Sequence, residues 1–542
     1  MKTGMNRASI REASTFILQL EEAAASCEKK AAAAQWNAMT EGKPEDYEAA
    51  EKLALLAKKV YSDKKKLDRA TAYLQNGNLA RHSTLARQLQ LAKLLLTEYS
   101  VDPKVIAELT RAETEAEQLF ATFRPTFEAE VTTSGSLEDI LRKERDPERR
   151  YGAWLALKSV GPVVADNVRA LLRLRNQSAR LAGFSDFWTM QMKLSEIDPD
   201  QLLGTLRDLA STTDEPFRKV LGKITRASEA RFGARGSPLK PWHLADPFFQ
   251  EVPDWAVSEL PGDAGATDPV ASAAAYYQSI GFDVSAILAR SSLYEAPGKN
   301  PHAFSLAVDR DGDVRVLCNV KNTLAWHRTM LHELGHAIYS TFIRKDLPWM
   351  LRQEAHPLTT EGIAMFFDSA AHTSTYLQRF AGVGPEQAKQ LENALQERRK
   401  LSRLVFLRWC LVMIHFEMEA YRDPEQSLSD AWWTLVERYQ FLQRPEGRDE
   451  PDWATKIHIV MAPAYYQNYL LGELFGAQLR KTLGGLVGSS TLAGELLFAP
   501  EIAPFLRDKI FAPGRSLTWQ ALLQQATGSR LDPAHLLEET AL

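Results

Sequence analysis

From residue 10 to residue 230 the chain reads as one helix after another. Ala, Glu, Lys, Leu and Arg dominate, which predicts helices over Glu22–Lys59, Ala80–Glu98, Pro103–Phe123 and Pro147–Leu181. Turn signals such as Gly42-Lys43-Pro44 and Ser134-Gly135 punctuate them. The stretch from Arg175 to Trp188 reads as a helix that stops at Gly183 and enters a second one. The charged faces here read as solvated helix surface, and Gly233–Pro241 reads as a loop. Two segments break the helical pattern. Trp242–Gln250 is short and aromatic-rich. Further on, Pro301–Val308 and Val314–Cys318 flank Asp309-Arg310-Asp311-Gly312-Asp313, a β-hairpin signal with Asp-Gly at its turn. An exposed strand there could take an extended peptide onto its edge; a purely structural hairpin would read the same way.

Directly after the hairpin, Leu331, Leu334, Ile338 and Phe342 are apolar at helical spacing, with no proline between Trp326 and Lys345. Gly335 interrupts this helix at a cost of about 1 kcal/mol relative to alanine, so a neighbour needs the room. Thr359 and Thr360 precede another apolar run that ends at Asp368, which reads as a helix start with Glu361 in its first turn. Helices follow over Glu386–Tyr421, Ser427–Arg438 and Tyr465–Thr482.

Composition narrows the class. The chain has 542 residues, 45% hydrophobic and 25% charged, enough for a sizeable core in an ordinary globular protein; length alone suggests two or more domains. A net charge of −4 carries no basic excess for nucleic acid. Cys27, Cys318 and Cys410 are too widely spaced for a zinc finger or a disulfide framework and read as free thiols in a reducing compartment. No apolar run reaches membrane-spanning length, and Met1–Glu21 lacks a signal-peptide core. The sequence as it stands therefore reads as cytoplasmic. A leader already removed would leave the same sequence on a periplasmic or secreted protein.

The chemistry concentrates in His332-Glu333-Leu334-Gly335-His336. Histidines at i and i+4 lie on one helix face and can reach one zinc ion, and Glu333 is placed to take a proton from a water that the metal activates. A catalytic zinc site keeps three protein ligands and an open position. Glu361 is the candidate third ligand; the bland alternative is a carboxylate favoured by the helix dipole. A third histidine six residues after His336 is ruled out, because Phe342 stands there. Asp368, two turns beyond Glu361, could hold the second nitrogen of a ligand histidine. His458, Tyr465, Tyr466 and Tyr469 gather in 12 residues, a cluster that alone would pass for core and hydrogen-bond filler.

Together these residues resemble the angiotensin-converting-enzyme-like peptidyl-dipeptidases, which are gluzincin metallopeptidases, and less closely the thimet oligopeptidase group. The likeness rests on Leu331–Tyr339, Asp346-Leu347-Pro348 and Glu361, and covers roughly residues 140–480, more loosely the N-terminal helices. Outside the zinc motif it rests on Asp246–Gln250, His302-Ala303, Trp432-Trp433, Lys456-x-His458 and Tyr466-x-x-Tyr469. The resemblance implies a mainly α, ellipsoidal metallopeptidase with a deep central cleft and a small β-hairpin at the active site. An N-terminal helical lid would cover roughly 1–130 of a single 1–542 peptidase unit, with the zinc-binding catalytic half over roughly 240–482. It implies one Zn2+ per chain on His332, His336 and Glu361, and short unfolded peptides as the partners. Catalytic roles fall to Glu333, His458 and Tyr469, the substrate backbone to His302 and Ala303, and a C-terminal carboxylate to Gln250, Lys456 and Tyr466.

Some positions depart from the pattern. Asn468 and Val436 stand where the family often has chloride-holding arginines, which implies weak chloride dependence. Pro301 replaces a cysteine that would pair with Cys318, and the step from His336 to Glu361 is one residue longer than in the animal enzymes. Tyr465 competes with Tyr466 for the carboxylate, although Tyr466 fits the spacing to Tyr469 better. Release of C-terminal dipeptides is the expected activity. An oligopeptidase cutting inside short peptides and an inactive peptide-binding scaffold are the rivals.

Overall fold

A computed structural model of the chain describes residues 7–75, 79, 84–233, 236, 238–257, 267–488 and 496–540. The fold is mainly α, 72% helical, with two small antiparallel sheets among the described residues. Recurrent Asp-Pro pairs start several helices. Asp102, Asp146, Asp198 and Asp268 each cap a helix by accepting a backbone N–H of the first turn, and the following proline takes the first position, where no N–H is needed. The expected helix start at Ala80 lies outside the described residues, as do 234, 235 and 237 of the expected loop. Among the described residues no helix is long and apolar enough to cross a membrane, and Cys27, Cys318 and Cys410 form no disulfide.

The chain divides into two compact units. One comprises residues 1–101, 261–392 and 471–535, the other 102–260, 393–470 and 536–542. In the first unit the helix Arg7–Glu41 buries Phe16, Ile17 and Leu20 and lies against the hairpin. Trp36 meets Phe304 edge to face, the Met39 carbonyl accepts from Asn300 N–H at 2.9 Å, and Glu28 pairs with Arg310 at the hairpin turn. The hairpin joins Phe304–Ala307 to Val314–Leu317 in register Phe304↔Leu317 and Ala307↔Val314. Its first strand is shorter than the expected Pro301–Val308. Pro301 has no N–H to pair, and the Asn300 side chain takes the His302 N–H at 2.8 Å, so the chain turns before it extends. An aromatic cluster of Tyr276, Tyr277, Phe282, Phe367 and Tyr376 fills the core beneath the helix Leu324–Phe342.

In the second unit, helices Pro103–Thr122, Pro147–Lys158, Val160–Leu181, Pro199–Phe232 and Leu428–Gln440 surround buried arginines whose donors serve backbone carbonyls. Arg150 donates to Trp242 O and Leu244 O, and Arg175 to Ile459 O and Val460 O. These bonds satisfy carbonyls in the single helical turns Pro241–His243 and His458–Met461 and at Leu244, just past the first.

Candidate functional site

The helix Leu324–Phe342 starts at Thr323, whose hydroxyl accepts from Trp326 N–H. Leu331, Leu334, Ala337 and Ile338 are fully buried on one face, which leaves His332 and His336 half-buried on another. Gly335 explains how a third ligand comes near. A Cβ there would stand 3.0 Å from Ala364 Cα and 3.2 Å from Phe367 Cδ2, so this glycine lets the helix Pro357–Asp368 approach closely. Behind that helix, Gly362 packs against Phe475 and the Gly472 carbonyl, where a Cβ would stand 2.5 and 2.8 Å from them.

The start of the Glu361 helix differs from the expected one. It begins at Pro357 with His356 as the cap, and the His356 Nδ1 accepts from Leu358 N–H at 3.1 Å. Thr359 turns its hydroxyl back to the cap, accepting from His356 N–H. Glu361 is therefore the fifth residue and lies beyond the first turn, where the helix dipole no longer favours a carboxylate appreciably.

Three ligand atoms converge. His332 Nε2 and His336 Nε2 are 3.3 Å apart, and Glu361 Oε2 is 3.9 and 4.0 Å from them. Atoms at these separations lie on a circle of radius about 2.2 Å, the length of a zinc–nitrogen or zinc–oxygen bond, so the donor set fits one zinc ion. The other ring nitrogens are occupied. His332 Nδ1 is 3.2 Å from Asp368 Oδ2, and His336 Nδ1 is 2.7 Å from Thr360 Oγ1. Those contacts orient both rings with Nε2 toward the same point. In the sequence Thr360 shows only as part of a helix start, and its adjacency to Glu361 is the one signal of this role.

Charges suit a cation. Burial would raise the Asp368 carboxyl, but Arg328 and His332 hold it well below the usual range. Burial lowers His332, and the hydrogen bond and charge of Asp368 outweigh that to raise it. Burial and the His332 charge pull His336 down to about 3, leaving it a neutral imidazole with a lone pair to give. Burial pushes the Glu333 carboxyl up to about 7, Glu361 adds to the rise and His332 opposes it. A dication held beside Glu333 would favour its ionised form.

In the same unit, His302 is exposed and Ala303 half-buried, immediately before the strand Phe304–Ala307. That strand's other edge pairs with no strand among the described residues.

The remaining candidates lie in the second unit. Lys456 is buried and donates to Gln250 Oε1 at 3.0 Å. Its ammonium stands 4.8 Å above Phe248 and 5.3 Å from the Trp409 ring centre. Burial pulls Lys456 down to about 8, against Asp246, Glu138 and Glu251, which push it up. Tyr466 is buried with its ring 5.9 Å from Trp409 and 5.4 Å from His458, so it shares the aromatic floor of the lysine. Tyr465 and Tyr469 are half-buried and meet edge to face. His458 opens the short helix His458–Met461, while Tyr466 and Tyr469 open the helix Tyr466–Val487.

One buried cation was not anticipated. Val436 and Trp154 line a cavity of about 20 Å3, room for roughly one water or small ion, and Lys158 lines it too. Burial pulls Lys158 down to about 7, and its Nζ donates to Thr455 Oγ1 at 3.2 Å. Only the spatial meeting of distant segments brings Lys158 there.

A family model described as angiotensin-converting enzyme matches residues 7–227 and 266–539. The chain is also similar to a Caenorhabditis elegans protein named inactive angiotensin-converting enzyme-related protein, 21% identical over 452 residues. The match takes in 74% of this chain and 48% of that protein, so the chain spans about half the length of this curated relative.

Proposed function

Because the chain belongs to the angiotensin-converting enzyme family, we propose that it is a zinc-dependent peptidase releasing dipeptides from the free C-termini of short peptides. The observation that carries this reading is the convergence of His332, His336 and Glu361 with Glu333 beside them. The dipeptide specificity draws its support from the buried Lys456 and the half-buried Gln250 bonded to it, an ammonium and an amide suited to a carboxylate.

When bound, zinc supplies a Lewis acid that brings the pKa of a water toward neutrality. Glu333 takes the proton of the attacking water and passes it to the leaving amine. Tyr469, with His458 near it in sequence, donates to the oxyanion that develops on the scissile carbonyl. The chain around His302 and Ala303 aligns the substrate backbone by main-chain hydrogen bonds. Lys456, Gln250 and Tyr466 hold the terminal carboxylate, whose desolvation would otherwise oppose binding.

The test is a pair of peptides differing only in a free or amidated C-terminus. Wild type should cleave the free acid far faster, and Lys456→Ala should lower kcat/KM on the acid by about 2–3 kcal/mol, with little change on the amide. Equal cleavage of the two by wild type would sink the carboxylate anchor and favour an oligopeptidase that cuts internally. A second reading, a scaffold that binds peptides without cutting them, draws on the printed name of the nematode relative. Against it, His332, Glu333, His336 and Glu361 are all present here.

A further inference from the structure

Gln250 reaches Lys456 from a turn that is held together by two groups outside any described chemistry. Asp246 is buried, and its carboxylate accepts four times from backbone: from Phe248 N–H at 2.9 Å, from Gln250 N–H at 3.2 and 3.1 Å, and from Glu251 N–H at 3.1 Å. Inside the turn Phe249 sits at φ +56, in the left-handed region that a phenylalanine enters only under constraint. The constraint comes from outside as well. Gln440, the last residue of the helix Leu428–Gln440 and 1% exposed, donates its Nε2 to Phe248 O at 3.1 Å and to Phe249 O at 2.8 Å.

The two holds are complementary. Asp246 collects the N–H groups of the turn and Gln440 collects its carbonyls, so the backbone of residues 248–250 is gripped from both sides. A buried carboxylate is expensive to keep, and this one is held by four backbone bonds and by the charges of Lys456 and Lys158. A strained φ also persists only where surrounding groups over-determine it. What this arrangement delivers is the direction of one side chain. Gln250 leaves the turn with its Oε1 on Lys456 Nζ, which turns its remaining Nε2 donor to an acceptor other than the lysine.

We propose that Asp246 and Gln440 are positioning residues for C-terminal carboxylate selection: they fix the turn 246–251 so that Gln250 and Lys456 act as one anion-binding pair. This rests on the carboxylate-anchor reading above. A merely structural role would lower stability without changing which C-terminus is preferred.

The experiment measures kcat/KM on the same peptide as free acid and as amide, with the zinc-loaded full chain. Wild type, Gln250→Ala, Asp246→Asn, Gln440→Met and the double variant Asp246→Asn/Gln250→Ala are compared. Asp246→Asn and Gln440→Met should each reduce the acid-to-amide ratio about tenfold, the scale of one lost hydrogen bond, and leave cleavage of the amide near wild type. The double variant should be no less selective than Gln250→Ala alone, because both changes act through the same amide. If Asp246→Asn does not fold, Gln440→Met carries the test by itself, since methionine nearly preserves the volume and removes the amide that holds the turn. A wild-type ratio in folded Gln440→Met, or full additivity in the double variant, would overturn the proposal. If wild type itself does not discriminate, the anchor reading fails first and takes this one with it. If Gln250→Ala lowers the ratio while both supporting variants keep it, only this inference fails.

Discussion

Asp368→Asn separates the orienting role of a carboxylate from the mere presence of the metal ligands. Asp368 Oδ2 lies 3.2 Å from His332 Nδ1 and 3.3 Å from Arg328 Nε, on a side chain only 8% exposed. Asparagine keeps the size and one oxygen acceptor but loses the charge that makes His332 a better ligand and complements a dication. Removing such a partner typically weakens metal affinity 10- to 100-fold, about 1.4–2.7 kcal/mol. The partner of the second histidine provides an internal control. Thr360 Oγ1, 2.7 Å from His336 Nδ1, is a neutral hydroxyl, so Thr360→Val should forfeit only about 0.5–1.5 kcal/mol. Zinc dissociation constants measured by competition with a calibrated chelator give both numbers. Zinc binding in Asp368→Asn within about twofold of wild type, or a larger loss in Thr360→Val, would refute the reasoning.

Two further outcomes follow from named contacts. Glu333→Gln should retain one zinc per chain and the wild-type fold while kcat drops by roughly 10²–10⁴, because an amide cannot accept the proton of the attacking water; normal turnover would reverse the assignment. Glu417 is buried and accepts from Ala464 N–H at 2.7 Å, and burial pushes its carboxyl up to about 7. Its pKa is raised on folding, so its favourable contribution is complete below the unfolded value and lost as the pH rises through about 7. Glu417→Gln should therefore gain on wild type between pH 5 and pH 8 by up to about 3 kcal/mol in urea unfolding, and parallel pH curves for the two proteins would contradict that.

The parts that the sequence made legible are those whose physics is local. The histidine pair one helical turn apart, the apolar face that carries it and the Asp-Gly hairpin all rest on contacts within a few residues. Gly335 signalled a close neighbour, and Ala364 turned out to be that neighbour. What stayed hidden depends on distant segments or on uncommon local choices. A histidine cap at His356, followed by proline, started a helix that the two threonines had seemed to start. Asn300 shortened the first hairpin strand. Thr360 could be seen as a threonine but not as the partner of His336, because only the approach of two helices creates that contact. The same holds for Lys158 in its cavity beside Val436, and for Gln440, which reaches back across 191 residues to the carbonyl of Phe249.

The most direct measurement of the central claim is mass spectrometry of short, free-acid peptides incubated with the zinc-loaded protein, with and without a chelator. The expected products are the C-terminal dipeptide and the peptide shortened by two residues, both lost on chelation and restored by added zinc. Internal fragments, intact peptides in the presence of one bound zinc, or cleavage that persists after the metal has been removed would contradict a zinc centre on His332, His336 and Glu361 that releases C-terminal dipeptides.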